Sequence, residues 1–541
     1  MISERMTGEE ALAYGALAAG VQMVTGYPGS PSSGTMDALI AADDSHRIYI
    51  EWSSNERVAL EMAIGASIAG RRALVCTKSV GMNVLLDPLM ALNLTPLRAG
   101  LVILLGDDPG GYGSQNDQDT RPLATMSELP MLEPGTPAEA YDMVRAGFAL
   151  SEQHQMPVVI RETRSFAVQL EMLKLTRTPC DAPKAKETID PMRFVPVPKN
   201  VVQKHRDLHQ RFAEVTKWSQ EAPFNRMRIG GKDGLIAAGF VYQKCLDVVG
   251  QEEQASFALF KIGTLHPLPE RKLLDFMASC DNVLVLEETS PFVELAVRAL
   301  AQTHDLGTTI FGKHTGHVPR EGELFRWQIQ SAVCQLFPYF TPVNPYRPEK
   351  EPDERPPKKS YCSDCRYDEI LDLCEEAARR NKQAVAFVGD PGCLVTVAHR
   401  LYAKYAIGSA VAVADGMARA GFPRKAVALV GDSGFFHSTL PALCNAVHHH
   451  SDLLIIVLNN STTLTSGGQP HAGTPQNARG EAAKALNISA VSRACGVDDV
   501  RTISLDSTRS ELVVTVQNML RKKTIAMLII DIPEASGQTA V

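Results

Sequence analysis

KAVALVGDSGFFHSTLPALCNAVHHHSDLLIIVLNN, residues 425–460, decides the fold. KAVALV (425–430) is a short apolar run rich in β-branched residues and reads as a buried strand leading into Gly431. Phe436, Leu440, Leu443, Ala446 and Val447 then recur at helical spacing, and DLLIIVL (452–458) is a second buried strand. The stretch is therefore strand, turn, helix, strand, with the turn at the carboxyl end of a parallel sheet. Open α/β sheets bind ligands there, and a helix amino terminus offers free N–H groups to a phosphate. GDSG also surrounds the nucleophile of many serine proteases, but nothing in the chain reads as a secreted β-barrel, which argues against Ser433 in that role. An Asp at one strand end (Asp432) and Asn459-Asn460 at the next supply hard oxygen ligands. With a backbone carbonyl and two phosphate oxygens they complete the octahedron of Mg²⁺. The alternative is a tight βα turn closed by an asparagine turn.

Working outward, residues 1–175 alternate alanine-rich helices such as GEEALAYGALAAG with apolar strands such as RRALVC, AGLVILLG and MPVVIRE. That alternation predicts a doubly wound parallel α/β sheet. Residues 176–230 lose the pattern among prolines and read as a linker with a charged helical piece near KHRDLHQRFAEVTKW. GLIAAGF, FALFKI and NVLVLEE then mark a smaller α/β domain over 231–335. A second linker, 336–360, includes TPVNPYRPEKEPDERPPKKS with its six prolines, and 361–541 forms the last α/β domain. The 541 residues carry a net charge of −7, and no basic run interleaved with aromatics occurs, which argues against nucleic acid. No apolar run is long enough for a membrane span and MISERMTGEEA has no signal-peptide pattern, so a cytoplasmic protein is expected. Eleven cysteines without regular spacing read as thiols or metal ligands.

GYPGSPSSG (26–34) joins a strand to a helix, with Pro28 and Pro31 stiffening the turn and Ser32 or Ser33 placed to cap the helix. Taken alone, it is a well-made βα loop. YIEWSSNERVALEMAIGASIAG (49–70) puts Glu56 in a first helical turn, where an acid ordinarily complements the dipole. With KSVGMNV, SQNDQDTR, GDSGFFHS and LNNSTTLTSGGQPHAGT, these stretches resemble the alpha subunit of indolepyruvate:ferredoxin oxidoreductase and, more broadly, the thiamine-diphosphate-dependent 2-oxoacid:ferredoxin oxidoreductases. The likeness runs in order over nearly the whole chain.

The resemblance implies a pyrimidine-binding first domain, a transketolase C-terminal-like middle domain and a last domain that binds diphosphate and Mg²⁺. It implies Glu56 as activator of the cofactor's aminopyrimidine ring and Ser30, beside Gly29, in the substrate-facing loop. Asp432, Asn460 and the carbonyl of Thr462 would hold Mg²⁺, with Gly431, Ser433, Leu464, Asp390 and Gly392 along the cofactor. Lys78, Asn83, Gln115, Asn116, His437 and His471 are further candidates; the plainer reading makes His437 a first-turn helix residue and His471 a loop residue. The implied reaction is oxidative decarboxylation of a 2-oxo acid to an acyl-coenzyme A, with a smaller beta (gamma-type) subunit, a ferredoxin-like electron acceptor, and a homodimer or heterotetramer.

The relatives' ferredoxin-like domain has no counterpart before Val541, so another electron route is expected. CSDC (362–365) and GDPGC (389–393) set Cys362, Cys365 and Cys393 at a spacing that suits a [4Fe–4S] cluster, zinc, or idle thiols. Cys444 and Cys495 are possible fourth ligands, while Cys374 reads as a core residue. A non-oxidative thiamine-dependent decarboxylase or carboligase is the alternative function.

Overall fold

The structure, a computed structural model, describes residues 2–43, 46–175, 191–253, 256–342, 345–354 and 365–533. Cys362 lies outside the described residues. The chain divides into two compact units, Met1–Glu51 with Glu56–Lys358, and Trp52–Asn55 with Lys359–Val541.

The first unit opens with β1 (Ile2–Met6), β2 (Met23–Gly26), β3 (Tyr49–Trp52), β4 (Ala73–Lys78), β5 (Leu101–Asp107), β6 (Met131–Leu132), β7 (Val158–Thr163) and β8 (Glu171–Leu175). It continues with β9 (Arg226–Arg228), β10 (Asp233–Ala238), β11 (Phe257–Ile262), β12 (Thr264–His266), β13 (Asn282–Leu286) and β14 (Thr309–Phe311). A seven-stranded sheet has the order β12-β6-β7-β5-β4-β2-β3, and a five-stranded sheet the order β14-β13-β10-β11-β9. Every residue of β4, β5 and β7 is buried, as expected of parallel strands covered by helices on both faces. β12, from the middle stretch of sequence, pairs antiparallel with β6 and ties the two sheets together. The segment read as a linker holds a 21-residue helix, Val201–Glu221, whose buried Leu208 and Val215 pack with Leu132, Met143 and Val158.

The second unit is one parallel sheet of β15 (Val385–Gly389), β16 (Ala403–Lys404), β17 (Lys425–Gly431), β18 (Leu454–Asn459), β19 (Asp499–Ser504) and β20 (Ala526–Asp531), in the order β16-β15-β17-β18-β20-β19. Alternate residues serve opposite faces. Val427, Leu429, Ile456 and Leu528 pack with helices Tyr367–Arg380 and Arg509–Leu520, while Ala428, Val430, Ile455 and Met527 pack with helices Ser409–Arg419 and Leu440–His448. From β15 the chain moves one way to β16 and then back past β15 to β17. The strand order therefore reverses between β15 and β17, the switch point at which such sheets open a ligand crevice.

Two local expectations change. Neither Ser32 nor Ser33 caps helix Ser33–Ala42. The Ser32 hydroxyl donates to the Gly29 carbonyl at 2.9 Å and the Ser33 hydroxyl accepts from the Gly29 N–H at 2.7 Å, so both pin the loop instead. The helix after Asp432 widens into a π turn over Phe435–Thr439 before Leu440–His448. Pro441 has no N–H to return to the preceding turn, and such widened turns recur at functional sites.

Candidate active site

In the first unit, four adjacent strands (β7, β5, β4 and β2) end side by side, with the predicted Gly29 and Ser30 beyond β2, Lys78 at the end of β4 and Gln115 and Asn116 in the loop beyond β5. Beyond β2, the loop through Gly29 and Ser30 lies on Lys78, the last residue of β4. A Cβ on Gly29 would stand 2.8 Å from the Lys78 Cβ, so only glycine allows that approach. Lys78 is buried and donates to the Gly113 carbonyl at 2.9 Å, with Asp108 at 3.7 Å. Burial pulls its pKa down, and Asp108 partly restores it. Asp108, just beyond β5, accepts from the Gly113 N–H at 2.6 Å and from the Ser114 hydroxyl at 2.9 Å through Oδ2, while its buried Oδ1 has no partner. Beyond β7, the Arg164 guanidinium stacks 4.6 Å over the Tyr112 ring and leaves its Nε unpaired.

Glu56 is buried at the start of helix Glu56–Ile68. Its carboxyl lies over Gly81, where a Cβ would stand 2.5 Å from Oε1. Asn83 exchanges two hydrogen bonds of 2.9 Å with Gln118, which also accepts from Asn116 at 3.3 Å; Gln115 is exposed. Asp108, Tyr112, Gln118 and Arg164 were not singled out from sequence. GDDPGGYGSQNDQDTR contained three of them, but Arg164 carried no local signal.

In the second unit, Gly431 pairs with Leu458, so Asp432 and Asn459-Asn460 follow neighbouring strand ends. Asp432 is buried and its Oδ1 accepts from the Ser433 N–H at 2.8 Å. Asp432 Oδ2 and His471 Nε2 lie 3.3 Å apart, both buried, and neither has a hydrogen bond. The Asn460 side chain accepts from the Thr462 N–H at 3.4 Å in a turn whose Ser461 has φ +57°, and Leu464 opens a short 3₁₀ turn. At the end of β15, Asp390 accepts from the N–H groups of Gly408 and Ala410 at 2.9 Å each and so braces the start of helix Ser409–Arg419. Burial pushes its pKa to about 7 against the pull of those N–H groups. Gly392 follows at φ +111°, a conformation that favours glycine. His437 is buried with its Nδ1 2.6 Å from the Ser438 hydroxyl.

Cys365 and Cys393 come together. The Cys365 sulfur lies 3.2 Å from the Thr396 hydroxyl, which donates to the Cys393 carbonyl at 2.8 Å. Burial pushes the Tyr367 hydroxyl up, and the negative charge of Cys393, Asp432 and Cys365 adds to that push. Cys444 and Cys495 belong with the opposite face of the sheet, so neither completes a ligand set with Cys365 and Cys393. Cys374 is buried in the core, its pKa pushed up to about 12 by burial.

Residues 14–220 match the family described as pyruvate flavodoxin/ferredoxin oxidoreductase, thiamine diphosphate-binding, and residues 402–530 match the thiamine pyrophosphate enzyme C-terminal TPP-binding domain. An indolepyruvate oxidoreductase subunit IorA of Methanothermobacter thermautotrophicus is 32% identical over 544 residues, covering 98% of this chain and 86% of the relative. That of Archaeoglobus fulgidus is 30% identical over 540 residues, covering 97% and 85%. The chain belongs to the IorA family of thiamine-diphosphate-dependent 2-oxoacid oxidoreductases. Among solved structures, a 2-oxoglutarate:ferredoxin oxidoreductase from Magnetococcus marinus aligns with a TM-score of 0.45 at 15% identity, over 57% of this chain and 62% of that one. None of the named relatives or family models favours the non-oxidative alternative. As an IorA-family chain it binds thiamine diphosphate, and the donor set fits a metal-diphosphate: Asp432 has a buried oxygen without a hydrogen bond, at a strand end adjoining Asn459-Asn460.

Proposed function

We propose that the chain is the cofactor-carrying subunit of an oxidoreductase for arylpyruvates such as indolepyruvate, forming an acyl-coenzyme A and passing electrons to a ferredoxin-like acceptor with a smaller partner subunit. The observation that carries this is the buried Asp432 oxygen that makes no hydrogen bond, at a strand end adjoining Asn459-Asn460, in a chain of this family. Asp432, Asn460 and the Thr462 carbonyl would hold Mg²⁺, with Gly431, Ser433, Gly392 and Leu464 along the diphosphate. Bound there, thiamine diphosphate supplies the carbon nucleophile and electron sink that decarboxylation of a 2-oxo acid requires.

Glu56 would share a proton through its carboxyl with the aminopyrimidine ring. Its burial keeps water from competing, and Gly81 leaves room for its tip. Ser30 and Gly29 form the loop facing substrate, and Lys78 and Arg164 supply positive charge for a 2-oxo acid carboxylate. Asn83 and Asn116, joined through Gln118, and the exposed Gln115 would add polar groups for the substrate, while His437 and His471 would flank the metal end. His471 holds its Nε2 3.3 Å from Asp432, where it can pass a proton to or from bound groups. Cys365 and Cys393, linked through Thr396, would hold an iron–sulfur cluster together with Cys362 and accept the electrons. The protein is proposed to act in the cytoplasm as a homodimer or heterotetramer. Among the described residues, no helix is long and apolar enough to cross a membrane.

The test is an anaerobic preparation with its partner, given Mg²⁺, thiamine diphosphate, coenzyme A and a panel of 2-oxo acids. Acceptor reduction strongest with arylpyruvates is expected. Aldehyde release with no acceptor reduced would overturn the oxidative reading in favour of the non-oxidative one.

A further inference from the structure

On the first unit, away from the strand ends described above, helix Val201–Glu221 carries His205 and His209. Residues four apart share one face of a helix. Here both imidazoles converge on one carboxylate: His205 Nε2 lies 2.5 Å from Glu128 Oε1, and His209 Nε2 lies 2.9 Å from Glu128 Oε2. All three ligand atoms fall within 4.8 Å of one another, and the two rings are 4.4 Å apart.

The supports are rigid on both sides. Buried Leu208 and Val215 seat the helix, Lys204 donates to the Arg193 carbonyl at 2.9 Å, and Arg211 donates to the Gln155 carbonyl at 2.8 Å. Glu128 sits at φ +52°, a backbone conformation that non-glycine residues adopt at a cost and that clusters at functional sites. The next residue's carbonyl is fixed by His266 Nδ1 at 2.8 Å.

We propose that Glu128, His205 and His209 form a divalent transition-metal site of the zinc class, separate from the thiamine and cysteine sites. Two imidazole nitrogens and one carboxylate oxygen are a zinc ligand set with the fourth position left for water. Bonds of about 2.0–2.1 Å around a tetrahedral ion set neighbouring ligand atoms roughly 3.3 Å apart. One atom from each residue already lies within 4.8 Å of the other two, so reaching that spacing takes shifts of no more than about 1.5 Å, within reach of side-chain rotation. Without a metal the cluster is a partly exposed His–carboxylate pairing of the kind that contributes little stability. With one, it clamps the helix to the turn at Glu128, and the binding energy adds to folding stability.

The test is zinc binding by equilibrium dialysis on the whole chain, with Mg²⁺ and thiamine diphosphate saturating. Three proteins are compared: wild type, the pair His205→Gln with His209→Gln, and a control in which exposed His448, His449 and His450 are all changed to Gln. Loss of a single outer-shell partner already costs about 10–100-fold, so removing two of three ligands is expected to weaken this site by more than 100-fold. The control is expected to bind as wild type does. Zinc X-ray absorption should show nitrogen and oxygen ligands and no sulfur, and zinc should raise the melting temperature of wild type but not of the paired variant. Unchanged affinity in the paired variant, loss in the control, or sulfur around the bound zinc would overturn the proposal.

Discussion

Gly81→Ala tests whether the position of the Glu56 carboxyl sets the rate. A Cβ at residue 81 would stand 2.5 Å from Glu56 Oε1, 2.6 Å from its Cγ and 2.5 Å from Thr77 Oγ1. Ordinary contact begins at 3.4 Å, so the carboxyl has to retreat by 3.4 − 2.5 = 0.9 Å. What moves is a side chain and not backbone, which keeps the stability cost at the low end of the ~1–3 kcal/mol typical of overpacking. Alanine's advantage over glycine inside helix Ser79–Leu92, about 1 kcal/mol, offsets most of that. The rate responds differently, because a misplacement of about 1 Å at a reacting centre costs on the order of 100-fold. Turnover, measured as arylpyruvate-dependent acceptor reduction with cofactor and partner saturating, is expected to fall on the order of 100-fold. The melting temperature should shift by less than about 4 °C. Wild-type turnover in this variant would refute the reasoning, since the carboxyl would then be free to act from a displaced position. A collapse in melting temperature would refute it as well, by showing that the surroundings of Glu56 cannot yield.

Asp432→Ala removes the only charged protein ligand proposed for Mg²⁺ and should abolish thiamine diphosphate binding by calorimetry. Ser433→Ala should bind normally, because Asp432 is held by the Ser433 backbone N–H and not by its hydroxyl. Cys393→Ser should lower the iron content and visible absorbance of anaerobically prepared protein while cofactor binding persists; iron equal to wild type would remove Cys393 from the ligand set. Glu162 is fully buried, neither carboxyl oxygen has a partner, and burial pushes its pKa well above the usual range. The folded chain thus keeps a proton that the unfolded chain releases above about pH 4.3, so stability contributed by this group declines as pH rises from there through the folded pKa. Chemical denaturation across pH 5–8 should show Glu162→Gln flattening that decline, and parallel pH profiles for the two proteins would count against it.

The parallel strands were legible because a strand covered on both faces is a continuous apolar run, as KAVALV, LLIIVL and LVILL are. Asp432 and Asn460 were legible for a related reason: each directly follows such a run, so the order of strands hardly matters to its placement at a sheet end. The remainder of the site depends on strand order and on which face a residue serves. Lys78 meets Gly113, and Arg164 meets Tyr112, only because β4, β5 and β7 are neighbours. The exclusion of Cys444 and Cys495 follows from which side of the second sheet their helices cover, which spacing between cysteines does not encode.

The same dependence divides labour between adjacent residues at the strand ends of the first unit. Asp107 and Asp108 are consecutive and both buried, yet Asp107 accepts from Arg161 at 2.7 Å and from Thr120 at 2.7 Å, whereas Asp108 turns to Lys78 and Gly113. Arg164 faces Tyr112, while the next residue, Ser165, bonds Glu323, which with Glu288 holds the fully buried Lys244 at 2.8 and 2.9 Å. Arg121, at the end of the loop beyond β5, pairs with Asp119 and with Glu287, the residue after β13, at 2.7 Å each. Ion pairs this deeply buried add little net stability but are costly to break singly, because the surviving charge is left without a partner in the interior. Such a network penalises alternative arrangements of the loop more than it strengthens the native one. A chain that must hold Lys78, Asp108 and Arg164 in fixed relation on a glycine-rich loop is served by that property, and it is achieved by residues one position away from those it holds in place.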